Sequence, residues 1–351
     1  MRLTIGICAV GVGFLTGGVG VAAAAPVSCG EIITTNTKLQ ADLVDCPGDG
    51  IVIGSDNITL DLDGHTIDGL GSAAQFGSDG IDNSGGYDNV VIKNGTVTEF
   101  QQGVALVGTT GNVARNLTVA GNDSYGFFVD GFASGDSNGN QLVGNRVFNN
   151  RDGIDLRGSN GNVIRANSST GNGGVGIAVT FSSQNNTVND NVLTGNGGQG
   201  IFLLDVANGN DLARNVIVAN ALTGILIANS STNDVVANRI AQNGGGGLWI
   251  ASDFPLVSGD NVLARNDLTA NATDGILVDL GTTGTVVLAN DADGNADDGI
   301  DIRNAATTVM RNRADGNVDL GIDAVLGVLD GGGNRAAGNG NPLQCVNVVC
   351  S

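Results

Sequence analysis

Two stretches of this chain carry side chains able to do chemistry together. The hexapeptide "DGIDLR" (152–157) sets Asp155 two residues before Arg157, and Asp130 stands at the matching place of the preceding repeat. Paired carboxylates are the acid–base tools of sugar hydrolysis, so Asp130, Asp155 and Arg157 are the catalytic candidates. Three large rings, Phe128, Phe202 and Trp249, also share one repeat position. Exposed rings in a line are what stacking against sugars requires. The same hexapeptide recurs as "DGIDIR" (298–303), with Asp279 standing to Arg303 as Asp130 does to Arg157. The constellation therefore reads as repeat consensus as well as a site. Asp297, Asp298 and Asp301 offer hard oxygen ligands that suit calcium, the one candidate cofactor. They read as solvated turn residues too, because no Gly-Gly-x-Gly-x-Asp nonapeptide is present. A chain with one His has no credible Ser-His-Asp set, and no phosphate-cradling loop is found.

The elements that position these residues follow from a repeat. A Gly preceding Ile, Val, Phe or Leu comes at 50, 80, 103, 126, 153, 176, 200, 224, 247, 275, 299 and 321. Most intervals are 22 to 24 residues, and each unit holds three apolar stretches of strand length with no helical periodicity. That pattern describes a parallel β-helix; the leucine-rich frame is absent. Asn167, Asn191, Asn215, Asn238, Asn266, Asn290 and Asn312 each have a second Asn five residues on and the repeat Gly nine residues on. They are expected at the corners, adopting the left-handed backbone and hydrogen-bonding from coil to coil.

Along the first strand of each coil, alternation turns the second and fourth residues after the Gly outward. Phe128, Asp155, Phe202 and Trp249 then share one column, with Asp130 and Arg157 beside it. Asp130 and Arg157 are expected one coil apart, about 4.8 Å, within salt-bridge range. The stretch from repeat Gly to first Asn is lengthened in "DGFASGDSNGN" (130–140) and "ASDFPLVSGDN" (251–261). Both loops overhang the same side and frame a groove between 131–139 and 252–259. The other reading has them folding back to cover the rings as a small satellite core.

With Asp+Glu 35 against Lys+Arg 15, the net charge is −20, and no basic patch is evident in the sequence. Nucleic acid is excluded as a partner, and a polyanionic glycan would need bridging cations. The N-terminal "MRLTIGICAVGVGFLTGGVGVAAAAP" has the form of a secretory signal peptide, cut near Ala24. No later segment is long and apolar enough to span a bilayer, so no membrane contact is expected after cleavage. Cys29 and Cys46 open the mature chain, while Cys345 and Cys350 close it, which suits an oxidising compartment.

The segment "CGEIITTNTKLQADLVDCPGDGIVIGSDNITLDLDGHTIDG" (29–69), followed by the coils, resembles the secreted bacterial right-handed β-helix repeat proteins of the pectate-lyase-like superfamily. That resemblance implies carbohydrate as the partner and a short amphipathic helix capping the first coil. "TKLQADLVDC" (37–46) is expected to form the helix, with Leu39 and Leu43 one turn apart. The glycosidase branch carries a Gly-His-Gly and a paired-Asp motif, which His65 in "DGHTIDG" does not match. Of the epimerase motif Tyr-Gly-Phe-Asp-Pro-His-Asp, "YGFFVDG" (125–131) keeps the first three residues.

The expected protein is all-β: a right-handed parallel β-helix solenoid of about twelve coils with a short N-terminal capping helix. Its parts are a signal peptide at 1–25, a cap at 26–48, the β-helix at 49–340 and a tail at 341–351. A body of roughly 55–60 Å separates the two cysteine pairs far beyond the ~7 Å bridging limit, which predicts Cys29–Cys46 and Cys345–Cys350. The expected role is a secreted, cell-surface or periplasmic monomer that binds an extracellular polysaccharide on one outer sheet face without catalysis. The alternative is a polysaccharide lyase or glycoside hydrolase acting in the same groove.

Overall fold

A computed structural model describes residues 26–71, 77–132, 135–253 and 255–351. The expected signal peptide, 1–25, lies outside the described residues, as do Ala133, Ser134 and Phe254 of the two long loops. The chain winds as a right-handed parallel β-solenoid of about 13 turns. One sheet stacks 14 strands, from Glu31–Ile33 through Asp152–Arg157 and Leu248–Ala251 to Cys345–Val346. Every pairing between strands is parallel and joins one coil to the next, as between Ile201–Leu204 and Ile225–Ala228. The second and third strands of each coil make two further stacks. These join at the eight-residue strands Val91–Thr98 and Val113–Ala120, which run through the corner between them.

The core is a set of apolar columns. Ile154, Ile177, Ile201, Ile225, Leu248, Ile276 and Ile300 follow the repeat Gly and are all fully buried. The Gly itself is required by close approach. A Cβ on Gly200 would lie 2.7 Å from the carbonyl oxygen of Gly224, and one on Gly224 would meet that of Gly247 at the same distance. The Asn columns are continuous buried ladders. Asn215 accepts from the Asn191 amide nitrogen at 3.0 Å and donates to Asn238 Oδ1 at 3.0 Å and to the Val188 carbonyl at 2.8 Å. Each ladder therefore satisfies backbone groups that the bend between two consecutive strands leaves unpaired.

Two expectations need correction. The left-handed backbone falls on the residue before the ladder Asn: Ala166, Asp190, Arg214, Ala237, Arg265, Ala289 and Arg311 all have φ between 53° and 57°. The Asn spends its side chain rather than its φ. The capping helix is also replaced by strands, Thr37–Lys38 and Leu43–Cys46. Leu39 donates its backbone N–H to Asp61 at 2.9 Å and the side chain of Asp42 accepts from the N–H of Thr66 at 3.0 Å, so the segment is stitched to the coil above. Leu39 and Leu43 are both buried, but as inward residues of a first coil. That coil accounts for the turn missing from the count of about twelve, and among the described residues there is no helix. Cys29–Cys46 staples this coil with its Cα atoms 5.3 Å apart, and Cys345–Cys350 closes the other end at 6.2 Å.

Candidate functional site

The outward column forms as alternation requires. Phe128, Asp155, Ala178, Phe202, Leu226, Trp249, Leu277 and Asp301 are successive register partners in the 14-stranded sheet. Outward does not mean exposed, however. Phe128, Phe202 and Trp249 are half-buried, while Asp155 and Asp130 are only 4% and 7% exposed. Neighbours ~4.8 Å above and below cover much of each side chain.

At the N-terminal end of the column, Arg157 folds back onto its own strand. Its Nε and Nη2 donate to Asp155 Oδ2 at 2.9 and 2.7 Å, and Nη2 also reaches the Tyr125 hydroxyl. The guanidinium lies 5.0 Å over the Tyr125 ring and 5.2 Å over Phe128, and those rings stack at 5.0 Å. Asp130 is the register partner of Arg157, yet its Oδ1 accepts the Phe132 N–H at 2.8 Å. The expected Asp130–Arg157 pair thus gives way to Asp155–Arg157, since the loop backbone takes the first carboxylate. Burial pushes the Asp155 carboxyl up to about 6, partly offset by Arg157. Its Oδ1 has no hydrogen-bond partner among the described residues. The second hexapeptide repeats the arrangement: Arg303 Nε holds Asp301 Oδ2 at 2.8 Å, with Asp279 Oδ1 at 3.9 Å from its Nη1. Tyr125 precedes the repeat Gly126 and so falls outside the columns that alternation after the Gly turns outward, which leaves it without a signal in the sequence.

Four coils on, the column opens into a cleft of about 370 Å³ whose lining includes Thr223, Gly246, Trp249, Thr273, Asp274 and Arg303. Its origin is local. "NGGGG" (243–247) places Gly246 where the adjoining coils carry Thr223 and Asp274. A Cβ at Gly246 would meet Asp274 O and Thr273 Oγ1 at 3.2 Å, so the missing side chain is the space beside the indole. Trp249 Nε1 is buried in the wall without a partner among the described residues. Burial raises Asp274 to about 6 and Asp298 to about 7, aided by neighbouring carboxylates. Carboxylate oxygens of Asp274, Asp298 and Asp301 lie within 4.8 Å of one another, as do those of Asp297, Asp298 and Asp319. Oxygen sets of this kind can hold a hard cation.

The loops do not jointly frame this cleft. Ser252, Leu256 and Val257 line a separate cleft of about 250 Å³ with Leu280 and Gly281. On the other loop, Phe132 is exposed and its ring lies 6.0 Å from that of Phe181. Phe202 sits between Ala178 and Leu226, apart from both ends.

Comparison with known proteins bears on the fold. Residues 88–254 match the family described as periplasmic copper-binding protein (NosD), and 223–339 match the right-handed β-helix region. No curated protein matches the sequence. A point mutant of the periplasmic alginate epimerase AlgG is 15% identical with a TM-score of 0.60, covering 91% of this chain and 78% of that one. The A-module of the Azotobacter vinelandii mannuronan C-5 epimerase AlgE4 is 16% identical, with a TM-score of 0.53 and coverage of 92% and 90%. The Dettilon tailspike protein is 18% identical, with a TM-score of 0.56 and coverage of 74% and 56%. At these identities the likeness establishes the fold. The side-chain donors that favour copper are imidazole and sulfur. Among the described residues these are His65, bonded to Asp42, Met310 and four cysteines, all in disulfides, so the donor set does not fit that metal.

Proposed function

We propose that this chain, which shares the right-handed parallel β-helix fold, binds an extracellular polysaccharide on the outer face of the 14-stranded sheet, without catalysis. The observation that carries this reading is the Trp249 cleft. It combines the chain's single Trp, with an unmet indole N–H, two threonines, two carboxylates and an arginine in a space of about 370 Å³. An aromatic wall takes the C–H face of a pyranose while hydroxyls and carboxylates take its O–H groups. The half-buried Leu226 and Leu277 extend the apolar surface along the column. The charge of −20 favours a neutral glycan, or an acidic one carried with a bridging cation at the Asp274–Asp298–Asp301 group. Two disulfides fit a periplasmic or secreted location.

Affinity electrophoresis against plant, algal and bacterial polysaccharides tests the reading. Trp249→Ala should weaken the bound glycan by about 1–3 kcal/mol, the cost of losing one stacked ring. Unchanged affinity would remove the cleft from the account. One observation favours the catalytic alternative: Asp155, raised to about 6 with a free Oδ1, could exchange a proton near neutral pH. Release of reducing ends or unsaturated products from the same panel, abolished by Asp155→Asn, would replace binding by catalysis.

A further inference from the structure

The residues just before the ladder asparagines form a second outward column, on a corner away from the Trp249 face. Asp190, Arg214, Ala237, Arg265, Ala289 and Arg311 follow one another there, coil by coil, all in the same left-handed backbone. At its lower end, a carboxylate and a guanidinium on adjacent coils meet in fork geometry: Arg214 Nε and Nη2 donate to Asp190 Oδ1 and Oδ2 at 2.8 and 3.2 Å. Higher up, Arg265 and Arg311 stand one coil to either side of Ala289, about 9.6 Å apart at the rise of a parallel stack. Both are exposed, and neither meets a carboxylate among the described residues, although acids outnumber bases 35 to 15. Arg313 beside them is occupied by Asp291, Asp293 and Asp315. The three arginines and Ala289 line an open notch of about 360 Å³, with the carboxylates of Asp267 and Asp291 at its wall.

We infer that this notch is a binding site for an oxyanion, which takes the position above Ala289 that a carboxylate takes beside Arg214. Two guanidiniums lining one notch from the coils on either side of Ala289 suit a carboxylate, sulfate or phosphate group, because each offers parallel N–H donors to paired oxygens. The overall negative charge does not forbid it, since at physiological ionic strength fields are screened within ~8 Å. The site is independent of the polysaccharide face.

The test uses Arg265→Ala/Arg311→Ala, which is structurally safe because Ala166, Ala237 and Ala289 already occupy this column with the same φ. Binding of inorganic phosphate, inorganic sulfate and dextran sulfate, with unsulfated dextran as control, is measured by calorimetry on the full mature protein. The wild type should bind at least one of the oxyanion probes, and the double variant should bind it more than tenfold more weakly. Preference for dextran sulfate over the free ions would mark the group as a polymer substituent; equal site affinity would mark a free ion. Ala289→Asp should abolish binding as well, by supplying the carboxylate internally, while raising the melting temperature. No oxyanion binding, or binding that survives both variants, overturns the proposal.

Discussion

Gly246 decides more about the candidate site than any side chain in it. Were it Thr or Asp, as on the adjoining coils, the space beside Trp249 would be filled. Gly246→Val is therefore predicted to lose glycan affinity about as far as Trp249→Ala does, with the indole still in place. The added Cβ meets Asp274 O and Thr273 Oγ1 at 3.2 Å and no core side chain within 4 Å, so a small shift of those neighbours should accommodate it and the melting temperature should fall by only a few degrees. A variant that binds as well as wild type would show that the glycan lies elsewhere. This residue was illegible in the sequence because a run of four glycines in a glycine-rich chain looks like a corner. Its meaning depends on which coil neighbours stand at 223 and 274. Trp249, Phe128 and Phe202 were legible, since period-two alternation alone puts them outward, but alternation says nothing of the ~4.8 Å neighbours that half-bury them. The Asp130–Arg157 pairing failed for a similar reason, since a long side chain can fold along its own strand as readily as across.

Among the elements, the Asn ladder binds the coils most directly. Asn215→Ala leaves the Asn191 amide N–H groups and the Val188 carbonyl without their partner, all fully buried. Each such group costs about 1–3 kcal/mol, so urea denaturation should show a loss of several kcal/mol. An exposed Asn off the ladder, such as Asn116→Ala, should cost under about 1 kcal/mol. Comparable losses at the two positions would mean the ladder is not a principal source of stability. The ladder was visible in the sequence as a fixed spacing, as were the strand columns and both disulfides. The first coil was not, because Leu39 and Leu43 four residues apart satisfy a helix as well as two corner-separated strands. What decides is Asp42, whose carboxylate bonds the Thr66 N–H on the next coil, a contact no local pattern contains.

For the molecule as a whole, titration of buried carboxyls should shape stability. Burial raises Asp79 to about 8, Asp298 to about 7, and Asp155 and Asp274 to about 6. Each binds its proton more tightly folded than unfolded, where the pKa is ~3.9. Their stabilising contribution is complete below that value and is lost as pH rises through about 6 to 8. Repulsion among the 35 acids acts in the same direction. Asp42, Asp61 and Asp190 are lowered instead, so their contribution disappears only in stronger acid. The melting temperature is thus predicted to be higher at pH 5 than at pH 8, and a rise from 5 to 8 would contradict the burial of these groups. The central claim, that a glycan lies against Trp249, has a direct probe because the chain has one Trp. Titrating the protein with the oligosaccharide repeat of whichever polysaccharide it retains should change the intrinsic Trp fluorescence saturably, with a midpoint equal to the dissociation constant from calorimetry. Calorimetric binding of that oligosaccharide with no change in the Trp249 emission would contradict the account.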